Sequence, residues 1–297
     1  MKFKSGFVTI LGRPNVGKST LVNKLSGEKI AIMSDKPQTT RNAIKCILTG
    51  KDYQIIFIDT PGIHKPKHKL GQYMVKSATR TLGEVDAAIF VVEADDKEIG
   101  AGDRFILEHL KKSKIPILLL INKIDIVRKE EILPIINRFK QVFDFYTVIP
   151  VSALQGDGID ILVNEIKNII PEGPKFFPDD MITDQPERVI VAEMIREKAL
   201  HLLEDEVPHS IAVEVTSMKE RDGKDLTDIQ ATIYCEREAH KPIIIGKKGA
   251  MLKEIGRLAR LDIEAFLANK IFLELWVKVK KDWKDNDSAL KTFFSDY

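Results

Sequence analysis

Long apolar runs are missing from this 297-residue chain: the most apolar stretch, Ile115 to Ile121, contains Pro116 and falls far short of the ~20 residues a membrane-spanning helix needs. Cysteine is nearly absent. Cys46 and Cys235 are far apart and lack metal-ligand or redox spacing, which argues against a disulfide framework and suits buried, inert thiols in a reducing cytosol. Neither sign of charge is in excess. With 46 Lys+Arg against 44 Asp+Glu the net charge is +2, so nucleic-acid binding would have to rest on local patches rather than on a polycationic chain. What is present, 44% hydrophobic and 30% charged residues, is the composition of a globular protein with enough length for two domains, each with its own core. The opening MKFKSGFVTILG has a brief likeness to a signal peptide, but its apolar run passes directly into a glycine-rich loop that cleavage would destroy.

That loop, GRPNVGKST from Gly12 to Thr20, fits the phosphate-loop pattern G-x-x-x-x-G-K-S/T. Phe7 to Leu11 precede it as a β-branched apolar run, and Leu21, Val22 and Leu25 follow at helical spacing, which predicts strand, loop, helix. Gly12 and Gly17 let the backbone curl so that N–H groups along Arg13, Asn15 and Val16 and into Thr20 surround phosphate oxygens at a positive helix terminus, with Pro14, which has no N–H, shaping the turn. Lys18 is expected to reach the β- and γ-phosphates and Ser19 to ligate Mg²⁺.

Gly27 to Asn42 shows no period and reads as a loop ending PQTTR, where the hydroxyl of Thr39 or Thr40 would complete the Mg²⁺ shell and sense the γ-phosphate. Tyr53 to Ile58 then reads as a buried strand running into Asp59-Thr60-Pro61-Gly62. A carboxylate at the tip of an apolar strand is costly unless a cation or donors answer it, so Asp59 is a candidate for holding Mg²⁺ or its water, with the Gly62 N–H close to the γ-phosphate. Val85 to Val92 and Ile115 to Ile121 are further strands in a βαβ alternation, and the second ends in Asn122-Lys123-Ile124-Asp125. There Asp125 can accept from guanine N1–H and the 2-amino group, donors that adenine lacks, while Asn122 can tie this loop to the phosphate loop. Tyr146 to Val151 leads into Ser152-Ala153-Leu154, whose backbone can contact the base, and Ile159, Leu162, Val163 and Ile166 mark a closing helix.

GRPNVGKST, QTT, DTPG, NKID and SAL, in this order, resemble the five nucleotide motifs of the translation-factor-like small GTPases. The resemblance implies a Mg²⁺-dependent GTP/GDP switch, with Lys18, Thr40 and Gly62 in the catalytic roles. Many such GTPases place a glutamine directly after DxxG; here the residue is Ile63, whose aliphatic side chain cannot orient water. The attacking water must then be placed by backbone groups, another residue or a partner. Asn15 either bonds the loop backbone or, as the resemblance to cation-dependent members suggests, contributes to a K⁺ site beside the phosphates.

From Pro171 the texture changes. PEGPKFFPDDMITDQP holds four prolines and one glycine and reads as a linker over residues 171–186, with Phe176 and Phe177 as candidates to dock on a domain surface. Beyond it, Arg188 to Leu203 predicts an amphipathic helix with Val189, Ala192, Ile195, Ala199 and Leu202 on one side. Ser210 to Thr216 and Asp228 to Cys235 predict strands joined by a turn over Lys219 to Asp225. Then come Ile243-Ile244-Ile245-Gly246-Lys247-Lys248-Gly249, a helix to about Ala268, and a last strand from Ile271 to Lys280. This order resembles a type II KH domain, with Gly246 to Gly249 as its GXXG loop. Taken alone, GXXG is better read as an exposed turn with two solvated lysines; the preceding isoleucines and the element order reverse that and point to a single-stranded RNA reader. Residues 183–297 contain 19 Lys+Arg and 22 Asp+Glu, a balance of 19 − 22 = −3, but Lys247, Lys248, Lys253, Arg257 and Arg260 cluster against the single acid Glu254. The expected RNA contacts are Ile245, Gly246, Lys247, Lys248, Gly249, Lys253 and Arg257.

The expected fold is α/β: a P-loop GTPase domain over 1–170 with a mostly parallel sheet flanked by helices, a linker over 171–186, and an α+β type II KH domain over 187–297. Over essentially its full length, closing in LELWVKVK, the chain is similar to the Era-like GTPases. That resemblance implies a monomeric, cytoplasmic ribosome-assembly factor that acts on the 30S subunit, binds the 3′ end of 16S ribosomal RNA and attaches loosely to the inner membrane. Two other purposes stand against it. One is an RNA-binding protein in which GTP is structural and never turned over. The other is a tRNA-modifying or double-domain relative, but the chain has neither a carboxyl-terminal cysteine motif nor a second phosphate loop.

Overall fold

In the computed structural model the described residues are 2–34, 36, 39–41, 43–62, 68–223 and 225–294, without the side chain of Ser77. The expectations placed on Pro37, Gln38, Asn42 and Ile63 lie outside them. The chain divides into two compact units whose main boundary falls between Asp184 and Gln185, the short stretches Ile32–Pro37 and His68–Leu70 being grouped with the second.

The first unit runs β1 (Lys4–Gly12), α1 (Lys18–Ser26), β2 (Ile44–Thr49), β3 (Tyr53–Asp59), α2 (Lys69–Thr81), β4 (Ala87–Glu93), α3 (Ala101–Leu110), β5 (Ile117–Asn122), α4 (Lys129–Lys140), β6 (Thr147–Pro150) and α5 (Ile159–Ile169). Its sheet has the order β2-β3-β1-β4-β5-β6, with β2 antiparallel to β3 and every other pairing parallel. The strands read as unbroken apolar runs because both faces are covered. In β4, Ala87, Ile89 and Val91 join the core under α1 and α5, while Ala88, Phe90 and Val92 join the core under α2, α3 and α4. Since β1, β3, β4, β5 and β6 are parallel, Gly12, Asp59, Glu93, Asn122 and Ser152 arrive at one edge, the carboxyl ends where open α/β sheets bind ligands.

Residues 171–184 belong to this unit. Gln54, fully buried, accepts at Oε1 from the N–H groups of Phe176 (2.7 Å) and Phe177 (3.0 Å), and its Nε2 donates to the Phe177 carbonyl at 2.9 Å. The Phe176 ring lies 4.9 Å from that of Phe7. On the outer side of β2, Ile47 N–H donates to Ile182 O at 2.8 Å, and Lys45 pairs with Asp184 at 2.6 Å.

The second unit runs α6 (Glu187–Leu202), β7 (Ile211–Glu220), β8 (Leu226–Cys235), α7 (His240–Ile245), α8 (Ala250–Leu267), β9 (Lys270–Val279) and α9 (Asp287–Phe293). β7 and β8 form an antiparallel hairpin, and β9 pairs parallel to β8 after crossing through α7 and α8. The hairpin extends beyond Thr216, where the sequence periodicity stops, because a bulge between Val215 and Ser217 shifts the alternation and turns Met218 toward the core. The single stripe expected on α6 is too narrow: Ile190, Val191, Met194, Ile195 and Leu200 are buried together with Arg196 and Glu197, over most of the circumference. Among the described residues no helix is long and apolar enough to cross a membrane.

Candidate functional site

Between β1 and α1 the chain makes the sharp reversal that its glycines permit: Gly17 has φ +94 and Asn15 φ +71, both left-handed. Lys18 is buried and folds back over this turn, its Nζ donating to Gly12 O at 3.1 Å and Arg13 O at 2.8 Å. Burial lowers its ammonium to about 8, against the upward pull of Asp59 and Glu93. The Val16 side chain is part of the core, so only its backbone faces the turn.

Next to Lys18, three oxygen-bearing side chains from three elements come together. Ser19 Oγ lies 3.0 Å from Thr40 Oγ1 and donates to Asp59 Oδ2 at 3.2 Å, and Thr40 Oγ1 is 3.5 Å from the same oxygen. Of the two threonines weighed from sequence, Thr40 is the one whose hydroxyl joins this group; Thr39 is half-buried beside it in the chain. Asp59 is fully buried, and its Oδ1 has no hydrogen-bond partner among the described residues. Burial pushes its carboxyl up to about 6, although Lys18, Ser19 and Thr40 each pull it down. An all-oxygen set around an incompletely satisfied buried carboxylate suits a hard divalent cation. Thr60 turns away, its hydroxyl donating to Ile10 O at 2.8 Å. Gly62 sits so close to the phosphate loop that a Cβ there would lie 2.9 Å from Pro14 N.

At the end of β5, Asn122 is buried and bonds in two directions: Nδ2 donates to Val16 O at 2.8 Å, and Oδ1 accepts from Ala153 N–H at 2.9 Å. It thereby ties its own loop to the phosphate loop, the role the sequence suggests, and also holds the Ser152-Ala153-Leu154 segment, a link the sequence does not suggest. Lys123 takes a left-handed φ of +65 and pairs with Glu93. The turn presents Ile124 half-buried and Asp125 exposed. Ser152 is buried, holding its own turn by accepting from Gln155 N–H at 3.1 Å, and Leu154 is exposed.

Sequence reasoning missed the acidic neighbours of Arg13. Its side chain leaves the phosphate loop, pairs with Asp96, lies 4.0 Å from Glu93 and donates from Nε to Asp103 Oδ1 at 2.9 Å. Asp103 could have been noticed, since it falls on the apolar stripe Ile106, Leu107 and Leu110 of α3, just after Ile99, where a carboxylate needs a reason. Glu93, Asp95 and Asp96 form an acidic group at this edge, and Arg13 and Lys123 answer it.

In the second unit α7 and α8 meet at the GKKG turn. Gly246 (φ +74) and Gly249 (φ +80) carry left-handed backbone, as does Lys248 (φ +53), and Lys247 and Lys248 are exposed. A Cβ on Gly246 would come within 2.6 Å of Met251 Cβ; one on Gly249 would meet nothing within 4 Å. Ile245 is half-buried against the core. A cleft of about 520 Å³ opens beside the turn between α8 and β9, lined by Gly249, Leu252, Lys253, Gly256, Arg257, Arg260 and Ile271 to Leu273, with Leu275. Lys253 and Arg257 are exposed along it, but Arg257 forms a two-point pair with Glu254 at 2.7 and 2.8 Å, so its charge is partly answered. The sequence leads one to expect an apolar groove beside the loop, but not which residues make its wall. Its signal was Gly256, a glycine inside a helix, whose Cβ would lie 3.3 Å from Leu275 Cδ1.

Residues 7–123 match the family model of a 50S ribosome-binding GTPase, and residues 206–284 that of a KH domain. The chain is 60% identical to GTPase Era of Alkaliphilus oremlandii over 292 residues, covering 98% of this chain and 99% of that one. Among solved structures it is similar to a variant of Aquifex aeolicus Era bound to GDP·AlF4⁻, with TM-score 0.94 and 42% identity over 98% of this chain and 99% of that one. It is equally similar, with TM-score 0.94 and 42% identity over 98% of both chains, to Era in complex with MgGDPNP and nucleotides 1506–1542 of 16S ribosomal RNA.

Proposed function

The chain belongs to the family of GTPase Era, and from that premise we propose that it hydrolyses GTP at the carboxyl edge of the first sheet to time the binding of the 3′ end of 16S ribosomal RNA by its KH cleft, during assembly of the 30S subunit. The observation that supports this most is Asn122, which bonds the phosphate loop and the base loop at once, so that phosphates and guanine are engaged by one rigid unit. Lys18 moves from the carbonyls of Gly12 and Arg13 to the β- and γ-phosphates, and Asp125 accepts from guanine while the backbone of Ser152 to Leu154 closes over the base. Ser19, Thr40 and Asp59 would hold Mg²⁺, whose chemistry there is to neutralise charge on the phosphate oxygens. The Gly62 N–H meets the γ-phosphate. With Ile63 after DTPG, the attacking water is placed by groups other than a glutamine.

Asn15, exposed at the lip of the loop, supports a K⁺ site that adds positive charge beside the phosphates. GTP turnover at least tenfold faster in K⁺ than in Na⁺, and equalised by Asn15→Ala, is the expected result; equal rates in the two salts would remove K⁺ from the mechanism. The protein works as a monomer in the cytoplasm. The family resemblance alone supports loose attachment to the inner membrane.

The RNA half is tested through Gly249, where an added side chain meets open space. Gly249→Asp places a negative charge on the GKKG turn at a left-handed cost of about 1 kcal/mol, which Asp tolerates better than most residues. Affinity for single-stranded RNA with the sequence of the 16S 3′ end should fall at least tenfold while GTP turnover without RNA stays within twofold. Unchanged RNA affinity would count against this cleft as the RNA site.

A further inference from the structure

The side chain of Arg13 is anchored outside every nucleotide motif. Nε donates to Asp103 Oδ1 at 2.9 Å in the first turn of α3, and the guanidinium also pairs with Asp96. Room for it is made by Gly102, where a Cβ would lie 2.9 Å from Arg13 Cδ. Asp103 has no exposure, and its Oδ2 has no hydrogen-bond partner among the described residues. A buried carboxylate is a poor device for stability, because an apolar residue of similar volume often serves as well. Its position suggests another purpose. Arg13 is followed by Pro14, and Pro14 is the residue that Gly62 abuts.

We propose that Asp103 is a positioning residue for GTP hydrolysis: by clamping Arg13 it fixes Pro14 as the surface against which Gly62 of the DTPG turn is set. The arm of the loop at Arg13 is held from two sides, by Lys18 Nζ on its carbonyl at 2.8 Å and, on its side chain, by the buried Asp103 together with Asp96. When Lys18 turns to the phosphates, the first hold is released, and the clamp on the side chain is what keeps Pro14 in place. GDP makes no use of Gly62, so losing the clamp acts on turnover and leaves GDP affinity largely intact. The inference rests on the reading above that Gly62 serves the γ-phosphate.

The test uses the full chain, with GTP turnover and affinity for a fluorescent GDP analogue measured well below each variant's melting temperature. Asp103→Asn keeps shape and removes charge; its kcat should fall about tenfold, with GDP affinity within twofold. Arg13→Lys, which keeps the cation but loses the planar fork, should give a smaller loss of kcat, and it replaces Asp103→Asn as the deciding variant if the latter does not fold. A lowered melting temperature with unchanged kcat, or equal losses of GDP affinity and turnover, would overturn the clamp as a positioning device. Gly62→Ala separates the two readings. If it abolishes turnover while Asp103→Asn does not, the clamp alone is wrong; if neither alters turnover, the assignment of Gly62 fails and takes the clamp with it.

Discussion

Gly17→Ala should cost about 3–8 kcal/mol of stability and lower GDP affinity more than a hundredfold. Two terms add. The residue sits at φ +94, a left-handed conformation that an L side chain adopts at about 1–2 kcal/mol. The new Cβ would also lie 2.2 Å from Asn122 Nδ2, a distance that forces one of them to move. Asn122 is the movable partner, and displacing it breaks bonds to Val16 O and Ala153 N–H in a buried place, at about 1–3 kcal/mol for each group left unsatisfied. Phosphate and base loops then lose their common support. Thermal melts with and without GDP, together with titration of a fluorescent GDP analogue, measure both parts. A variant that kept the parent's affinity would show that the Asn122 bridge is dispensable for binding.

Asp59→Asn should act in opposite directions on the empty and the loaded protein. The Asp59 carboxyl is ordinarily half-ionised near 3.8 and is pushed up to about 6 by burial, a difference of roughly two units, or on the order of 3 kcal/mol. The sign follows from proton counts. Between the two values the folded chain holds a proton that the unfolded chain has released, so this group's contribution falls as pH rises through the window and is fully unfavourable above about 6. Replacing Asp59 removes that cost but leaves Lys18 without its carboxylate, so the net gain for nucleotide-free protein at pH 7.5 should be about 1–2 kcal/mol and should vanish near pH 4. In the parent, Mg²⁺ must displace the Asp59 proton, so Mg²⁺-dependent GTP affinity should fall about tenfold per pH unit below about 6; in the variant both the Mg²⁺ dependence and that slope should disappear. Melting curves across pH in a chelator, and GTP binding across Mg²⁺ and pH, read these effects. A variant less stable than the parent when empty at pH 7.5 would contradict the electrostatic account.

The nucleotide edge was legible because each motif's spacing already implies its neighbours. Strands that stop at Asp59 and at Asn122 bring those residues to the same edge of the sheet only if they run parallel, and the βαβ alternation makes them so, with β1 and β4 lying between them. Less legible were features that depend on three-dimensional neighbours. β2 passed unremarked because Ile44 to Thr49 is short and follows a segment without period. The Asp103 contact links residues ninety positions apart, and no local pattern joins them. In the second unit the element order emerged from alternation, but the end of β7 did not, since a bulge reverses which parity faces the core. The cleft beside GKKG needed Leu275 and Gly256 to be seen together.

The segment from Pro171 to Asp184, which reads in sequence as a linker with two phenylalanines able to dock, takes on a protective purpose once its contacts are considered. An outermost strand offers a row of unpaired amides that invites foreign strands to add on and start aggregates. Ile182 engages one such amide of β2, and Gln54 pins the segment in place by grasping the backbone at Phe176 and Phe177. A GTPase fragment cut at residue 170 would lose this selvedge and expose a sticky border, whereas one ended at 184 would keep its hem intact.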